Sequence, residues 1–239
     1  MNDLLGSALR LYCKVFGVIL GLVLSIGLVG QMLSSYLAYN VFDRKNFVAG
    51  LQTGLLIDLV FGSVIAAGVL HALFVDRMGR RAGFLECFGV AVSHWLQLCW
   101  TNLLTNCLVV MVSALFFLPI GTWQMRLIFL LPSVVIGIRL SLAVTVVMTE
   151  GEWGVAALRR SAKLTTDRGW QILGLCLFVY VPVQLAGFIG IGMLQTNPQF
   201  DTWQMTAGFG TVLKLASSFI PVCFFCLYEK IIAEDRPEE

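Results

Sequence analysis

The chain has 239 residues, of which 58% are hydrophobic and only 13% charged, about half the charged share of an ordinary soluble domain. A formal net charge of +2 is too small to point to nucleic acid as a partner. The apolar residues fall into six blocks, each as long as the roughly 20 residues that a bilayer span needs, so the composition excludes a soluble globular protein and predicts one integral membrane domain over residues 1–239.

The opening stretch, Met1 to Lys14, is short and mildly amphipathic. The block behind it is too long for the apolar core of a secretory signal, so it reads as a retained span. An all-α bundle is expected, with spans at about 15–38, 51–75, 95–119, 124–149, 170–194 and 205–229, because the blocks lack the alternation of a transmembrane barrel. Arg10, Lys14, Arg77, Arg80, Arg81, Arg159, Arg160, Lys163, Arg168, Lys230 and Arg236 fall on one side of that arrangement; only Arg44, Lys45 and Arg126 fall on the other. Basic residues in short loops mark the cytoplasmic side, which predicts both termini in the cytoplasm. Trp123 and Trp203 sit where an outer interfacial belt belongs.

A weak internal repeat accompanies this order. Short amphipathic stretches, Leu4 to Phe16, Phe84 to Trp95 and Trp153 to Leu164, precede the odd-numbered spans, and each leads into an apolar hairpin. The pattern predicts three units of interfacial helix plus helical hairpin.

Thr149 to Trp170 is the most informative segment. Thr149-Glu150-Gly151-Glu152 fits a capping box that would open a short helix. On that helix Trp153, Ala157, Ser161 and Leu164 share one face and Arg159, Arg160 and Lys163 the other, the pattern of a helix lying on a membrane surface with its basic side toward anionic headgroups. Arg159, Arg160, Lys163 and Arg168 are therefore the candidate contacts for anionic lipid or a membrane-protein partner. Thr165, Thr166 and Asp167 offer an N-cap for the next span, which opens on Trp170. The plainer reading of the same residues is a topology signal and anchor.

The run Ala157-Leu158-Arg159-Arg160-Ser161-Ala162-Lys163-Leu164-Thr165, followed by Trp170, resembles the characteristic segment of YciC-like bacterial inner-membrane proteins and of the membrane domain attached to some glycerophosphoryl diester phosphodiesterases. Gly6-Ser7-Ala8-Leu9-Arg10-Leu11-Tyr12 looks like that family's entry into its first span. About 20 residues carry the likeness, and Asp167 stands where the family commonly has Gly. The resemblance implies a six-span inner-membrane protein. It implies no catalytic domain, since the phosphodiesterase chemistry belongs to a separate soluble part.

Three charged residues fall inside spans: Asp58, Arg139 and Lys214. Each costs roughly 2.5–3.5 kcal/mol near mid-bilayer on insertion scales. Counting about 1.5 Å per residue from the outer boundary puts Asp58 roughly 10 Å deep, Lys214 roughly 14 Å and Arg139 roughly 22 Å. Helical side chains lean toward the N-terminus, so Lys214 leans toward the level of Asp58 and the two are expected within pairing reach. The three charges either neutralise one another as packing glue or line a substrate path. Gly17, Gly21 and Ser25, and Ala186 with Gly190, form small-residue packing faces, and Pro132, Pro182 and Pro221 are candidate kinks.

The seven cysteines are an odd number without repeated spacing, which argues against a disulfide framework. Cys223 and Cys226 form a CxxC inside the last span without a second thiol pair or a nearby His, and His71 and His94 read as interfacial anchors, so no metal or other cofactor is expected. Walker A, HExxH and GxSxG motifs are missing. Ser93 and His94 are adjacent and would not share a helix face. The expectation is a non-enzymatic inner-membrane protein acting in envelope or membrane-lipid homeostasis through lipid or protein contacts. The alternative is a small-solute or lipid transporter with Asp58, Arg139 and Lys214 along its path.

Overall fold

The structure is a computed structural model that describes residues 2–41, 53–113, 130–197 and 199–235. Trp123, Arg44, Lys45, Arg126 and Arg236 lie outside the described residues. Within them the chain is all helical, and six helices are long and apolar enough to cross a membrane: α1 (Asp3–Asn40), α2 (Thr53–Arg77), α4 (Trp95–Ser113), α5 (Leu131–Glu150), α7 (Gly169–Leu194) and α8 (Trp203–Asp235). Two short helices, α3 (Phe84–Ser93) and α6 (Val155–Leu164), precede α4 and α7.

These short helices correspond to the second and third amphipathic stretches of the expected repeat. The first stretch is different. Leu4 to Phe16 runs without a break into the first span, giving α1 a length of about 57 Å, well beyond the roughly 30 Å hydrocarbon thickness. Among the described residues no glycine of α1 has a positive φ, so nothing turns the chain there. The corresponding breaks before α4 and α7 fall at His94 and at Thr165–Arg168, where the backbone leaves helical geometry.

α1, α2 and α8 form the centre of the bundle. α1 packs along α8 and against α2; α3 lies on α2; α4 lies on α2 and α5; α7 lies on α8 and, at its start, on α5. The apolar core occupies one end. It is built from Ile19, Leu22, Leu70, Leu73, Leu98, Leu142, Val146, Ile172, Leu227 and Ile231, all fully buried. Both described chain ends, the 78–83 turn and α6 gather at this end. Lys14 bonds Asp76 at 2.8 Å, Arg77 pairs with Glu229, and Arg168 pairs with Glu234 at 3.0 Å. The segments that carry most of the chain's basic residues therefore share one end of the molecule.

Outward faces are apolar as well. Leu56, Leu96, Met111, Phe178, Phe188, Met193 and Val212 are all more than half exposed. A soluble protein rarely shows so continuous an apolar surface, whereas hydrocarbon-facing helices require one. The six spans and this surface fit a multi-pass membrane protein.

Beyond Gly27, Gly62 and Lys214 the core thins, and α1 packs on α8, α7 on α8 and α4 on α5. There Tyr36 meets Trp203 edge-on at 5.8 Å, and the Tyr39 hydroxyl donates to Asp201 at 2.8 Å. Thr202 caps α8 by accepting from the Met205 N–H at 3.3 Å.

Candidate functional site: a polar cavity around an intramembrane ion pair

Where the apolar core ends, Lys214 of α8 forms an ion pair with Asp58 of α2. The Lys214 side chain is 17% exposed and that of Asp58 56%. The exposed side of the pair faces a cavity of about 380 Å³ lined from four helices, by Asp58 and Ser63 of α2, Asn102 and Asn106 of α4, Tyr180 and Gln184 of α7, and Lys214, Ser217 and Ser218 of α8. The volume is within the range of small-molecule sites. So many polar side chains at mid-helix are costly facing hydrocarbon and are accommodated where they face water or one another.

Local helix geometry shapes this site. Among the described residues three helices carry a π turn: Val23–Gly27 in α1, Asp58–Gly62 in α2 and Cys176–Tyr180 in α7. All three end beside the ion pair or its cavity. Gly27 abuts the Lys214 stem, Asp58 opens the second turn, and Tyr180 closes the third and lines the cavity. Such turns are rare and concentrate at functional sites. In α7 Pro182 has no N–H to offer the preceding turn, which relaxes the local hydrogen-bond register. The close packing at Gly62 is also specific: a Cβ there would lie 3.0 Å from Lys214 Nζ and 3.2 Å from Asp58 Oδ1.

α8 is interrupted at Ser218, one turn after the ion-pair lysine. The Ser217 and Ser218 hydroxyls both donate to the Lys214 carbonyl, at 2.9 and 2.8 Å, and the Tyr12 hydroxyl of α1 donates to the Leu215 carbonyl at 2.9 Å. Across the cavity Asn102 donates to Ser63 Oγ at 2.8 Å, and the Leu59 carbonyl accepts from Ser63 and from Cys99 Sγ. At the α8 break the serine and tyrosine hydroxyls add to the Ser218 N–H, which donates to the Lys214 carbonyl at 3.0 Å and lies 3.2 Å from that of Leu215.

Arg139 does not line this cavity. It is exposed, and its carbonyl accepts from Ser161 at 2.8 Å and from Thr165 at 3.2 Å of the α6 segment. The expected path through all three charges is thus corrected. α5 breaks at Ser141–Leu142 and brings Arg139 to the level of the surface helix, away from Asp58.

The α6 segment differs from expectation in three respects. Thr149 and Glu150 end α5, with Gly151 at φ 73° as its left-handed terminus, so they do not form a capping box. Thr165 and Thr166 donate back to Ser161 and Ala162, and the residue before α7 is Arg168 without a side-chain cap. The buried face of Ala157, Leu158, Ser161 and Leu164 packs on α5 and α4, with the Gly154 N–H bonded to Thr101 Oγ1 at 2.9 Å. That face is therefore taken up by protein rather than free for lipid. Of the four candidate contact residues, Arg159 and Lys163 are exposed. Arg160 bonds Glu150 at 2.9 Å, which raises its pKa further, and Tyr228 donates to the same carboxylate at 2.8 Å. Arg168 is held by Glu234 and Asp235.

Ser93 and His94 do meet, at 3.0 Å between Oγ and Nδ1, because His94 leaves helical geometry between α3 and α4. Ser93 Oγ donates to the Val90 carbonyl at 2.8 Å and Nδ1 lies 3.1 Å from that same oxygen, which fits a helix-end arrangement rather than an activated hydroxyl. Among the described residues no group of His, Cys, Asp and Glu is placed to hold a metal ion.

Sequence reasoning missed Asn102, Asn106, Tyr180, Gln184, Ser217 and Ser218. A signal was present. Asn102 and Asn106, like Tyr180 and Gln184, are four residues apart and share a helix face, and α4 is the least hydropathic span, at 1.4 against 2.2 for α1 and α7.

Comparison with known proteins finds no matching family model, no matching curated protein and no matching solved structure.

Proposed function

We propose that this chain is a non-enzymatic multi-pass protein of the bacterial inner membrane, with both termini cytoplasmic, that takes a small polar solute or a lipid headgroup into the Asp58–Lys214 cavity and moves it through the bilayer as a small transporter or permease. The observation that carries this reading is the cavity itself, a polar space at mid-helix depth built from four spans around an ion pair and flanked by π turns. The likeness to YciC-like proteins agrees with the location and says nothing of a substrate.

Cysteine accessibility tests it. On a Cys-reduced background in native membranes, Asn106→Cys should react with a water-soluble, membrane-impermeant thiosulfonate far faster than Met111→Cys on the outward face. Reaction from both sides of the membrane supports passage. Reaction from one side only removes the transport half of the reading, and no reaction removes the cavity.

Arg159 and Lys163, exposed beside each other on α6 with Trp153 also exposed, support a second role in holding anionic lipid at the basic end. Replacing both with Gln should weaken binding to vesicles containing phosphatidylglycerol; unchanged binding leaves α6 as a packing element and topology signal.

A further inference from the structure

Resting on the cavity as a ligand site, we propose that its ligand is a zwitterion, carrying an alkylammonium and an anionic group a few bonds apart, that inserts across the Asp58–Lys214 pair with its ammonium on the carboxylate and its anion on the lysine. Among the described residues the charged groups lining the cavity are one carboxylate and one ammonium, so that lining is neutral as a whole. A lone cation would bring a second positive charge beside Lys214, and a lone anion a second negative charge beside Asp58. Either leaves a net charge in a weakly polarisable setting, where unpaired charge is most costly. A zwitterion adds no net charge and exchanges one ion pair for two.

The pair is built to accept such an exchange. Asp58 is more than half exposed toward the cavity; its Oδ1 accepts from Lys214, and among the described residues nothing donates to Oδ2. The Lys214 ammonium has three donors, of which Asp58 takes one. Gly62 leaves the space beside both groups clear of a side chain. Asn106, Gln184 and Tyr180 supply neutral donors and acceptors around the opening. The 380 Å³ of space is within the range of small-molecule sites, room for an amino acid or an ethanolamine phosphodiester headgroup. Free solute and lipid headgroup share this chemistry.

The test measures the thermal unfolding midpoint of the intact protein in an uncharged detergent. The probes are alanine, glycerophosphoethanolamine and a short-chain phosphatidylethanolamine; the controls are ethanolamine, glycerophosphoglycerol and glycerol. At least one zwitterion should raise the midpoint by a few degrees at saturation, and none of the controls should. A shift with alanine identifies a free solute, and a shift with the lipid and its headgroup alone identifies a lipid source. Asn106→Leu replaces a polar wall group by an apolar one while keeping the ion pair and should weaken the shift; if that variant is unstable, the probe series on the unaltered protein decides. No shift with any zwitterion, or an equal shift with a singly charged or neutral control, overturns the zwitterion. Labelling of Asn106→Cys separately decides whether the cavity is a site at all.

Discussion

Removing one partner of the Asp58–Lys214 pair should be worse than removing both, and the two single changes should differ. Asp58→Asn strands an ammonium whose side chain is only 17% exposed, whereas Lys214→Met strands a carboxylate that is 56% exposed. Breaking a well-buried pair costs about 3–5 kcal/mol, and replacing both members with neutral groups is often close to neutral. Asp58→Asn should therefore approach about 3 kcal/mol of destabilisation. Lys214→Met should fall well below that, because the remaining carboxylate is better solvated by the cavity. The double change should cost less than Asp58→Asn alone, giving a coupling of about 1–3 kcal/mol. The assay is reversible unfolding of the four proteins in mixed micelles, followed by the circular dichroism of the helices. Additive effects within about 0.5 kcal/mol would refute the pairing, and a larger cost for Lys214→Met would refute the exposure argument.

Gly62→Ala should fail to give the roughly 1 kcal/mol gain of an ordinary helical Gly→Ala change, because its Cβ would press on both members of the pair; the full gain in unfolding stability would mean that the ion pair is free to move aside. Arg139→Gln should change stability by no more than about 0.5 kcal/mol, since only the backbone carbonyl of that residue is bonded to α6; a large loss of stability or abundance would assign its side chain a partner. Glu150→Gln removes the charge and one of the two acceptor oxygens that Arg160 and Tyr228 share and should speed amide exchange over residues 155–164, and identical exchange would show that packing alone holds α6. Cys87 is buried in α3, and its thiol is pushed up to about 11, chiefly by desolvation and next by the nearby Glu86 charge. The raised value keeps it protonated at pH 8, so alkylation should be very slow there and rise through pH 10 to 11; rapid labelling at pH 8 would contradict that burial.

Much of the architecture was legible because hydrophobic length is a strong signal. The six spans, and α3 and α6 as separate short helices, follow from apolar blocks and amphipathic stretches in the sequence. Depth counting and the backward lean of helical side chains brought Asp58 and Lys214 to one level, where the structure pairs them. The same counting put Arg139 deeper and out of easy reach of Asp58, and the structure leaves it off the cavity, with its carbonyl bonded to Ser161 and Thr165; only its place on a shared path with the pair was wrong. Thr149 and Glu150 have the composition of a helix start, yet Gly151 makes them a helix end, a choice made by backbone conformation that residue types alone leave open. The π turns carry no hydropathy signature at all. The cavity walls were hidden for a related reason. Asn102, Asn106, Tyr180 and Gln184 are each unremarkable in an apolar span, and their meaning appears only when α4 and α7 turn them toward the same space.

The most direct measurement is the structure of the protein in lipid nanodiscs at a resolution that shows ordered water. The account predicts Lys214 on Asp58, an open space among α2, α4, α7 and α8, and water or ligand density against Asn106, Gln184 and the free oxygen of Asp58. Side chains or acyl chains filling that space, with Lys214 turned away from Asp58 toward the membrane surface, would contradict it.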